Sequence, residues 1–177
     1  MSIVTKNGDR GRTFLCYGAR VSKDNPSVEA CGALDELSSF LGLSKNLIKE
    51  QKNKKLIASI QKDLFVVGAE FATKPKQISK LRERIDDSYI GRLEKVIRDL
   101  EKNYKSKQRC FCLPGENFAS SVLDIARAIA RRAERLSVTL KRKKLLLNGD
   151  ILIYLNRLSD LLYLLARLYG KNQGNKN

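Results

Sequence analysis

The chain has 177 residues, of which 42% are hydrophobic; this suits one folded domain and excludes a wholly disordered chain. Lys and Arg number 35 against 19 acidic residues, a formal charge of +16, so a polyanionic ligand or partner is expected. The chain contains no histidine, which removes the usual general base near neutral pH and a common metal ligand.

The first 26 residues are rich in turn formers and predict a structured loop region. Within it, glycines stand beside cationic and hydroxyl residues, and backbone N–H groups in such a loop can close around phosphate. The Walker A spacing is absent, and a plain surface turn is the more common origin of such a pattern. The candidate phosphate-binding residues are Thr5, Lys6, Gly8, Asp9, Gly11 and Thr13.

After Pro26, apolar residues recur at three- and four-residue steps, which predicts a first helix. The same periodicity predicts four more helices, over residues 55–72, 88–104, 117–145 and 151–169. Five helices, short connections and no convincing strand pattern predict an all-α, five-helix up-and-down bundle. We expect residues 1–170 to form this single domain and residues 171–177 to be a polar tail.

The first predicted helix carries carboxylates on a half-buried surface, among them Asp35. A carboxylate there needs a cationic partner, and the arginines of the fourth helix are the obvious candidates. Paired in this way, Asp35 would hold an arginine in place and would not act as a base.

The fourth predicted helix has an apolar stripe that includes Val122, Ile125 and Ile129, and an opposite face with Arg127 and Arg131 one turn apart. Two guanidinium groups at this spacing can hold the oxygens of a polyphosphate. Glu134 lies three residues beyond Arg131 and could orient its guanidinium. A salt-bridged surface helix or a basic face for nucleic acid explains the pattern equally well.

The fifth predicted helix is apolar nearly all round and should lie centrally, although Arg157, Asp160 and Arg167 argue against a membrane span. Asn156, Asp160 and Tyr163 share one side at helical spacing. Polar groups in such a helix must be paired or must face a site. A hydrogen-bond network between helices is the alternative.

The four cysteines include the close pair Cys110 and Cys112, whose spacing does not suit a zinc site. Without a secretory signal we expect all four to be free thiols in a reducing cytosol. Phe111 stands before a Pro-Gly turn, a pattern more often typical of a loop anchored in the core than of a site.

Taken together, the order and spacing of five blocks are specific. They closely resemble the PduO-type ATP:cob(I)alamin adenosyltransferases over residues 3 to about 169. The blocks are Thr5-Lys6-x-Gly8-Asp9-x-Gly11-x-Thr13, Glu29-Ala30-x-Gly32-x-x-Asp35-Glu36-Leu37, Phe111-x-Leu113-Pro114-Gly115, Arg127-x-x-x-Arg131-Arg132-Ala133-Glu134-Arg135 and Asn156-Arg157-Leu158-Ser159-Asp160.

This resemblance implies a homotrimeric bundle with sites between subunits, which transfers the adenosyl group of Mg²⁺-bound ATP to a reduced corrinoid. It implies that the N-terminal loop and Lys23 wrap the ATP phosphates, that Asp35 pairs with Arg127 across the interface, and that Phe111 lies beneath the corrin ring. It further assigns Arg127 and Arg131 to the triphosphate, Glu134 and Asn156 to the nucleotide, and Tyr163 to the corrin.

The resemblance also suggests a cytoplasmic location, a corrinoid reductase and a downstream adenosylcobalamin-dependent enzyme as partners. One departure is Glu116, where relatives usually have a second glycine after Pro114-Gly115. The rival functions are a basic helical protein that binds nucleic acid, and a family member that carries corrinoid without catalysis. The nucleic-acid reading explains the charge but not the N-terminal loop.

Overall fold

A computed structural model describes residue 4 and residues 6–103 and 113–171. The described chain begins with a small antiparallel sheet of two strands and continues as five long helices, which confirms the predicted helical bundle. The strands are β1 (Arg12–Phe14) and β2 (Arg20–Ser22). The helices are α1 (Pro26–Leu47), α2 (Gln51–Phe71), α3 (Asp87–Asn103), α4 (Phe118–Arg142) and α5 (Asp150–Lys171).

The sheet was not predicted. In it Thr13 lies opposite Val21, and the chain reverses through a short 3₁₀ turn at Cys16–Gly18. Tyr17 and Gly18 in this turn have positive φ, which tightens the reversal. A second 3₁₀ segment, Pro75–Lys80, connects α2 to the approach of α3.

Local capping explains where α1 and α4 begin. The side chain of Asn25 accepts a hydrogen bond from Ser27 N at 2.9 Å, and Pro26 occupies the first helical turn. At α4, Asn117 and Ser120 form a reciprocal capping box. Asn117 also donates to the carbonyl of Tyr169 at 2.7 Å, so the start of α4 is fixed to the end of α5.

The core lies between the helices, with α5 packed on α4 and α3, and α1 packed on α4 and α2. As predicted, α5 is buried on most sides; its buried residues include Leu155, Leu158, Leu162 and Leu165. The predicted stripe of α4 is buried at Val122 and Ile129, but Ile125 is 43% exposed, so its placement in the stripe was wrong. Ile125 lies at the edge of the arc, where the neighbouring helices no longer cover it. No described helix is both long enough and apolar enough to cross a membrane.

Candidate active site

The arginine face of α4 lies where the periodicity predicted it. Arg131 and Arg135 are exposed, while Arg127 is half-buried, with 31% of its side chain accessible. Arg131 makes no ion pair with any residue that the structure describes. Its guanidinium is therefore available to an anion.

Arg127 and Arg131 line an open cavity of about 620 Å³ between α3, α4 and α5. The cavity also contains Asp160 and Tyr163, which the helical spacing of α5 placed on one side. This cavity therefore brings together Arg127 and Arg131, which were predicted to bind the triphosphate, and Tyr163, which was predicted to lie near the corrin. Its remaining lining residues are Glu94, Ile97, Arg98, Glu101, Arg157, Ser159 and Leu164.

Asn156 and Glu134, which were predicted to contact the nucleotide, do not line this cavity but contact each other. Asn156 Nδ2 donates to Glu134 Oε1 at 3.3 Å, and Asn156 Oδ1 accepts from Arg157 at 3.0 Å. We expected Glu134 to orient Arg131, but its hydrogen bond goes to Asn156. This contact ties α4 to α5, and Arg157 in turn pairs with Glu94 of α3 at 2.9 Å.

The N-terminal loop is tightly turned. Asp9 N donates to Lys6 O at 3.3 Å, and Gly11 N donates to Gly8 O at 3.2 Å. Gly11 has φ of 69°, a conformation that favours glycine. In the part of the chain that is described, none of the loop residues lines the cavity of Arg127 and Arg131.

Lys23 lies against this loop. Its backbone N donates to Gly11 O at 2.9 Å, and a Cβ built on Gly8 would lie 3.1 Å from Lys23 Nζ. A side chain at position 8 would therefore press on the ammonium group. Thr13 is half-buried in β1. Thr5 lies outside the described residues.

Asp35 is exposed on α1 and lines a second cavity, of about 590 Å³, between α1 and α2. Cys31 lies in the same cavity, where burial, and then the charge of Asp35, raises the pKa of its thiol to about 11. The α1 carboxylate that pairs with α4 within the chain is Glu36, which contacts Arg132. The sequence reasoning missed this pair because it considered only Asp35.

The sequence reasoning also missed a buried cluster around Arg167, which is only 2% exposed. The Arg167 guanidinium pairs with Asp124 of α4 and with Glu116 Oε1, the latter at 2.9 Å. Asp124 Oδ1 is in addition 3.6 Å from Arg127 Nε. A signal was present: Arg167 is a cation in the most apolar helix, and such a cation needs buried partners.

Glu116 packs directly over Gly170 near the end of α5. A Cβ built on Gly170 would lie 2.6 Å from Glu116 Cδ, closer than real side chains approach. The close approach of the carboxylate to α5 thus depends on the missing side chain at position 170.

Comparison with known proteins shows the family of this chain. The family model described as cobalamin adenosyltransferase matches residues 3–169. The chain belongs to this family. A corrinoid adenosyltransferase from Citrobacter freundii is 39% identical, with 94% of this chain and 93% of that protein aligned. Corrinoid adenosyltransferase PduO from the same organism is 41% identical, but the aligned 94% of this chain spans only 49% of that protein.

Solved structures give the same result. A variant of the PduO-type ATP:corrinoid adenosyltransferase from Lactobacillus reuteri, complexed with cobalamin and ATP, has a TM-score of 0.88 and 34% identity. The match covers 96% of this chain and 93% of that one. A second variant of that enzyme, complexed with ATP, has a TM-score of 0.85 and 35% identity over 95% of this chain and 94% of that one.

The position of Phe111 beneath the corrin and the free thiols of Cys110 and Cys112 remain predictions, because these three residues lie outside the described residues. Cys16 and Cys31 are free thiols, as expected. Among the described residues, no group of three or more acidic, histidine or cysteine side chains could hold a metal ion.

Proposed function

We propose that this protein transfers the 5′-deoxyadenosyl group of ATP to cob(I)alamin or a related reduced corrinoid, giving adenosylcobalamin and triphosphate. The observation that carries the proposal is the cavity in which Arg127 and Arg131 meet Tyr163, within a chain that belongs to the cobalamin adenosyltransferase family. An anion-binding pair and an aromatic side chain in one cavity suit a substrate pair of triphosphate and corrin.

The chemistry suits a chain without histidine. The reduced cobalt is itself the nucleophile: a Co–C bond forms to C5′ of ATP, the C5′–O bond breaks, and its electron pair leaves with the triphosphate. The protein must align the two reactants and stabilise the charge that grows on the leaving group. Guanidinium groups do so well, because they donate two hydrogen bonds to phosphate oxygens at once. Mg²⁺ would enter as the complex of ATP, bound mainly through substrate phosphates.

The proposed residue roles are those that the family resemblance implies, and the geometry supports the role of Arg131. Arg131 would bind the triphosphate directly, since its guanidinium is exposed and makes no ion pair with a described residue. Arg127 would bind beside it. Glu134 and Asn156, joined by a hydrogen bond, would contact the nucleotide. The loop residues and Lys23 would wrap the phosphates: Thr5, Lys6, Gly8, Asp9, Gly11 and Thr13.

A homotrimer with sites between subunits would bring these parts together. Within one chain, the turn between β1 and β2, which follows the loop, is fixed to the end of α2, because Cys16 N donates to Ala72 O at 2.8 Å. The arginine cavity lies between α3, α4 and α5. Asp35 is exposed on the α1–α2 side and would pair there with Arg127 of another subunit. Phe65, 76% exposed on the same side, would be covered in such an assembly.

Phe111 would lie beneath the corrin and exclude the lower axial ligand, which favours the four-coordinate cobalt that is easier to reduce. Tyr163 would pack near the ring. We expect the enzyme to work in the cytoplasm, with a reductase that supplies Co(I) and an acceptor enzyme that uses the product.

The deciding experiment is an anaerobic assay with purified protein, ATP, Mg²⁺ and chemically reduced cobalamin. Loss of the Co(I) absorbance and release of triphosphate should proceed in equal amounts. Binding of both substrates without turnover would indicate a corrinoid carrier. Absence of binding, with salt-sensitive affinity for DNA or RNA instead, would overturn the proposal.

The role of Phe111 has its own test. Phe111→Ala should lower turnover strongly while the affinity for ATP, measured by calorimetry, stays near that of the native protein. A loss of ATP affinity equal to the loss of turnover would contradict the assigned position beneath the corrin.

A further inference from the structure

Arg167 is a fully buried cation in the apolar helix α5. Its guanidinium contacts Asp124 and Glu116 and donates to Leu113 O at 3.4 Å. A buried guanidinium is stable only when it is paired and hydrogen-bonded, so these contacts join α4, α5 and the segment that precedes α4.

Asp124 is shared between this buried cation and a candidate site residue. One carboxylate oxygen contacts Arg167, and the other lies 3.6 Å from Arg127 Nε. The Asp124 side chain is only 7% exposed, so its orientation is fixed by packing as well as by charge. Arg127 Nε is itself buried and makes no hydrogen bond within the described residues, so Asp124 is the anion that faces it.

Among the described residues, two cations, Arg167 and Arg127, share the buried carboxylate of Asp124. The other acidic partner of Arg167, Glu116, is 37% exposed, so solvent screens much of its charge. Asp124 is therefore the buried anion of this cluster, and its attraction holds the Arg127 side chain close to it.

The same buried cation also lies against Tyr163, which lines the cavity. The Arg167 guanidinium carbon is 5.7 Å from the centroid of the Tyr163 ring, within cation–π range. Arg127 and Tyr163 both line the cavity between α3, α4 and α5. Arg167 thus contacts Tyr163 directly and Arg127 through Asp124, without lining the cavity itself.

We propose that Asp124 is a positioning residue for adenosyl transfer: anchored by Arg167, its carboxylate holds the guanidinium of Arg127 toward the triphosphate. This inference rests on the proposed function. It differs from the pairing of Arg127 with Asp35, because Asp124 acts within one subunit and from the buried side of the arginine.

The chain offers a matched control. Glu116 pairs with the same Arg167 but makes no contact with Arg127 among the described residues, so it tests the cluster without the positioning role. Asp124→Asn and Glu116→Gln each remove one negative charge and keep the shape of the side chain.

We expect Asp124→Asn to raise the KM for ATP about tenfold, the effect of losing one charge-assisted contact, whereas Glu116→Gln should stay within about twofold of the native value. In an Arg127→Ala background, Asp124→Asn should have little further effect on KM, because the residue it positions is gone. Equal effects of the two single variants, or an undiminished effect of Asp124→Asn without Arg127, would overturn the proposal.

If Asp124→Asn does not fold, Asp124→Glu keeps the charge but displaces the carboxylate by one methylene. A positioning role predicts a raised KM for ATP in this variant, and a native KM would contradict it. If the native protein binds ATP but shows no turnover, the proposed function fails separately, and calorimetric ATP affinity of the same variants still tests the positioning role.

Discussion

Two buried polar clusters lie along α5, separated by about 20 Å of helix. Near its end, Arg167 joins Asp124 and Glu116. Near its start, the Tyr154 hydroxyl donates to Asp63 at 2.8 Å, and Asp63 also pairs with Arg92 of α3. Both clusters place charges among apolar helices, and both tie α5 to its neighbours.

The difference is in what the clusters touch. The Arg167 cluster reaches Arg127 and Tyr163, which line the candidate site. The Asp63 cluster reaches, through Arg92, a larger cavity of about 820 Å³ that contains none of the predicted site residues. Neither cavity size nor buried charge therefore distinguishes the candidate site from the other cavity. The candidate site differs in that two arginines of one helix face meet an aromatic side chain there.

The largest effect should come from the site arginine itself. We expect Arg131→Ala to lower kcat/KM for ATP about a hundredfold or more, because about 3 kcal/mol of charge-assisted hydrogen bonding is lost. The melting temperature should change little, since Arg131 is exposed. Arg135→Ala, one turn further along α4 and outside the cavity, is the control. Equal losses in both variants would remove the distinction between site and surface arginines.

At the other cluster we expect a loss of stability without a loss of substrate affinity. Asp63→Ala should lower the free energy of unfolding by about 2 kcal/mol, because the buried Tyr154 hydroxyl loses its acceptor. Adding Tyr154→Phe should recover part of this loss in urea denaturation. A raised KM for ATP in the folded Asp63→Ala protein would contradict the view that this cluster acts on stability alone.

Glu70, beside the Asp63 cluster, should give this end of the molecule a pH dependence. Burial raises the pKa of Glu70 above its usual range, although Ile85 N donates to its carboxylate at 2.8 Å and Asn148 at 3.1 Å, which opposes the shift. The folded protein therefore holds this proton more tightly than the unfolded chain. The free energy of unfolding should fall as the pH rises from the unfolded pKa of about 4.3 through the raised folded value.

The measurement is urea denaturation from acid to neutral pH, and Glu70→Gln is the reference because it does not titrate. The fall in stability should be present in the difference between the native and variant curves. Glu50, whose pKa is lowered mainly by its hydrogen bond from Tyr169, acts in the opposite direction and cancels in this difference. If the free energy of unfolding of the native protein and of Glu70→Gln showed the same pH dependence, Glu70 would not be the group responsible for the fall.

The smallest effect should come from an exposed pair. Glu36 and Arg132 contact each other, but their side chains are 54% and 40% exposed. Glu36→Gln should therefore change the free energy of unfolding by no more than about 0.5 kcal/mol, and added salt should reduce even that. If Glu36→Gln lowered the free energy of unfolding as much as Asp63→Ala does, burial of the carboxylate would not explain the difference between the two ion pairs.

The sequence predicted the helices well, because the apolar periodicity of a bundle helix is set by burial along one face. The start of α2 was placed at residue 55, whereas the helix begins at Gln51. Its first turn is polar and contributes nothing to the stripe. The strands β1 and β2 were missed, since three-residue strands between turns leave no readable alternation.

Spacing along single helices also predicted that Arg127 and Arg131 share one face of α4 and that Asp160 and Tyr163 share one side of α5, and all four line one cavity. The contact of Asp124 with Arg167 was missed, because the two residues are 43 positions apart and meet only through the packing of α4 on α5. Spacing along one helix is readable in a sequence, whereas the register between two helices depends on the whole core.

The packing of Glu116 over Gly170 connects the end of α5 to the buried cluster. An alanine at position 170 would overlap the carboxyl group, so this flexible end of the glutamate would have to shift away from α5. Because the same carboxyl group pairs with Arg167, a side chain at position 170 would disturb the partner of a buried cation that it does not itself contact.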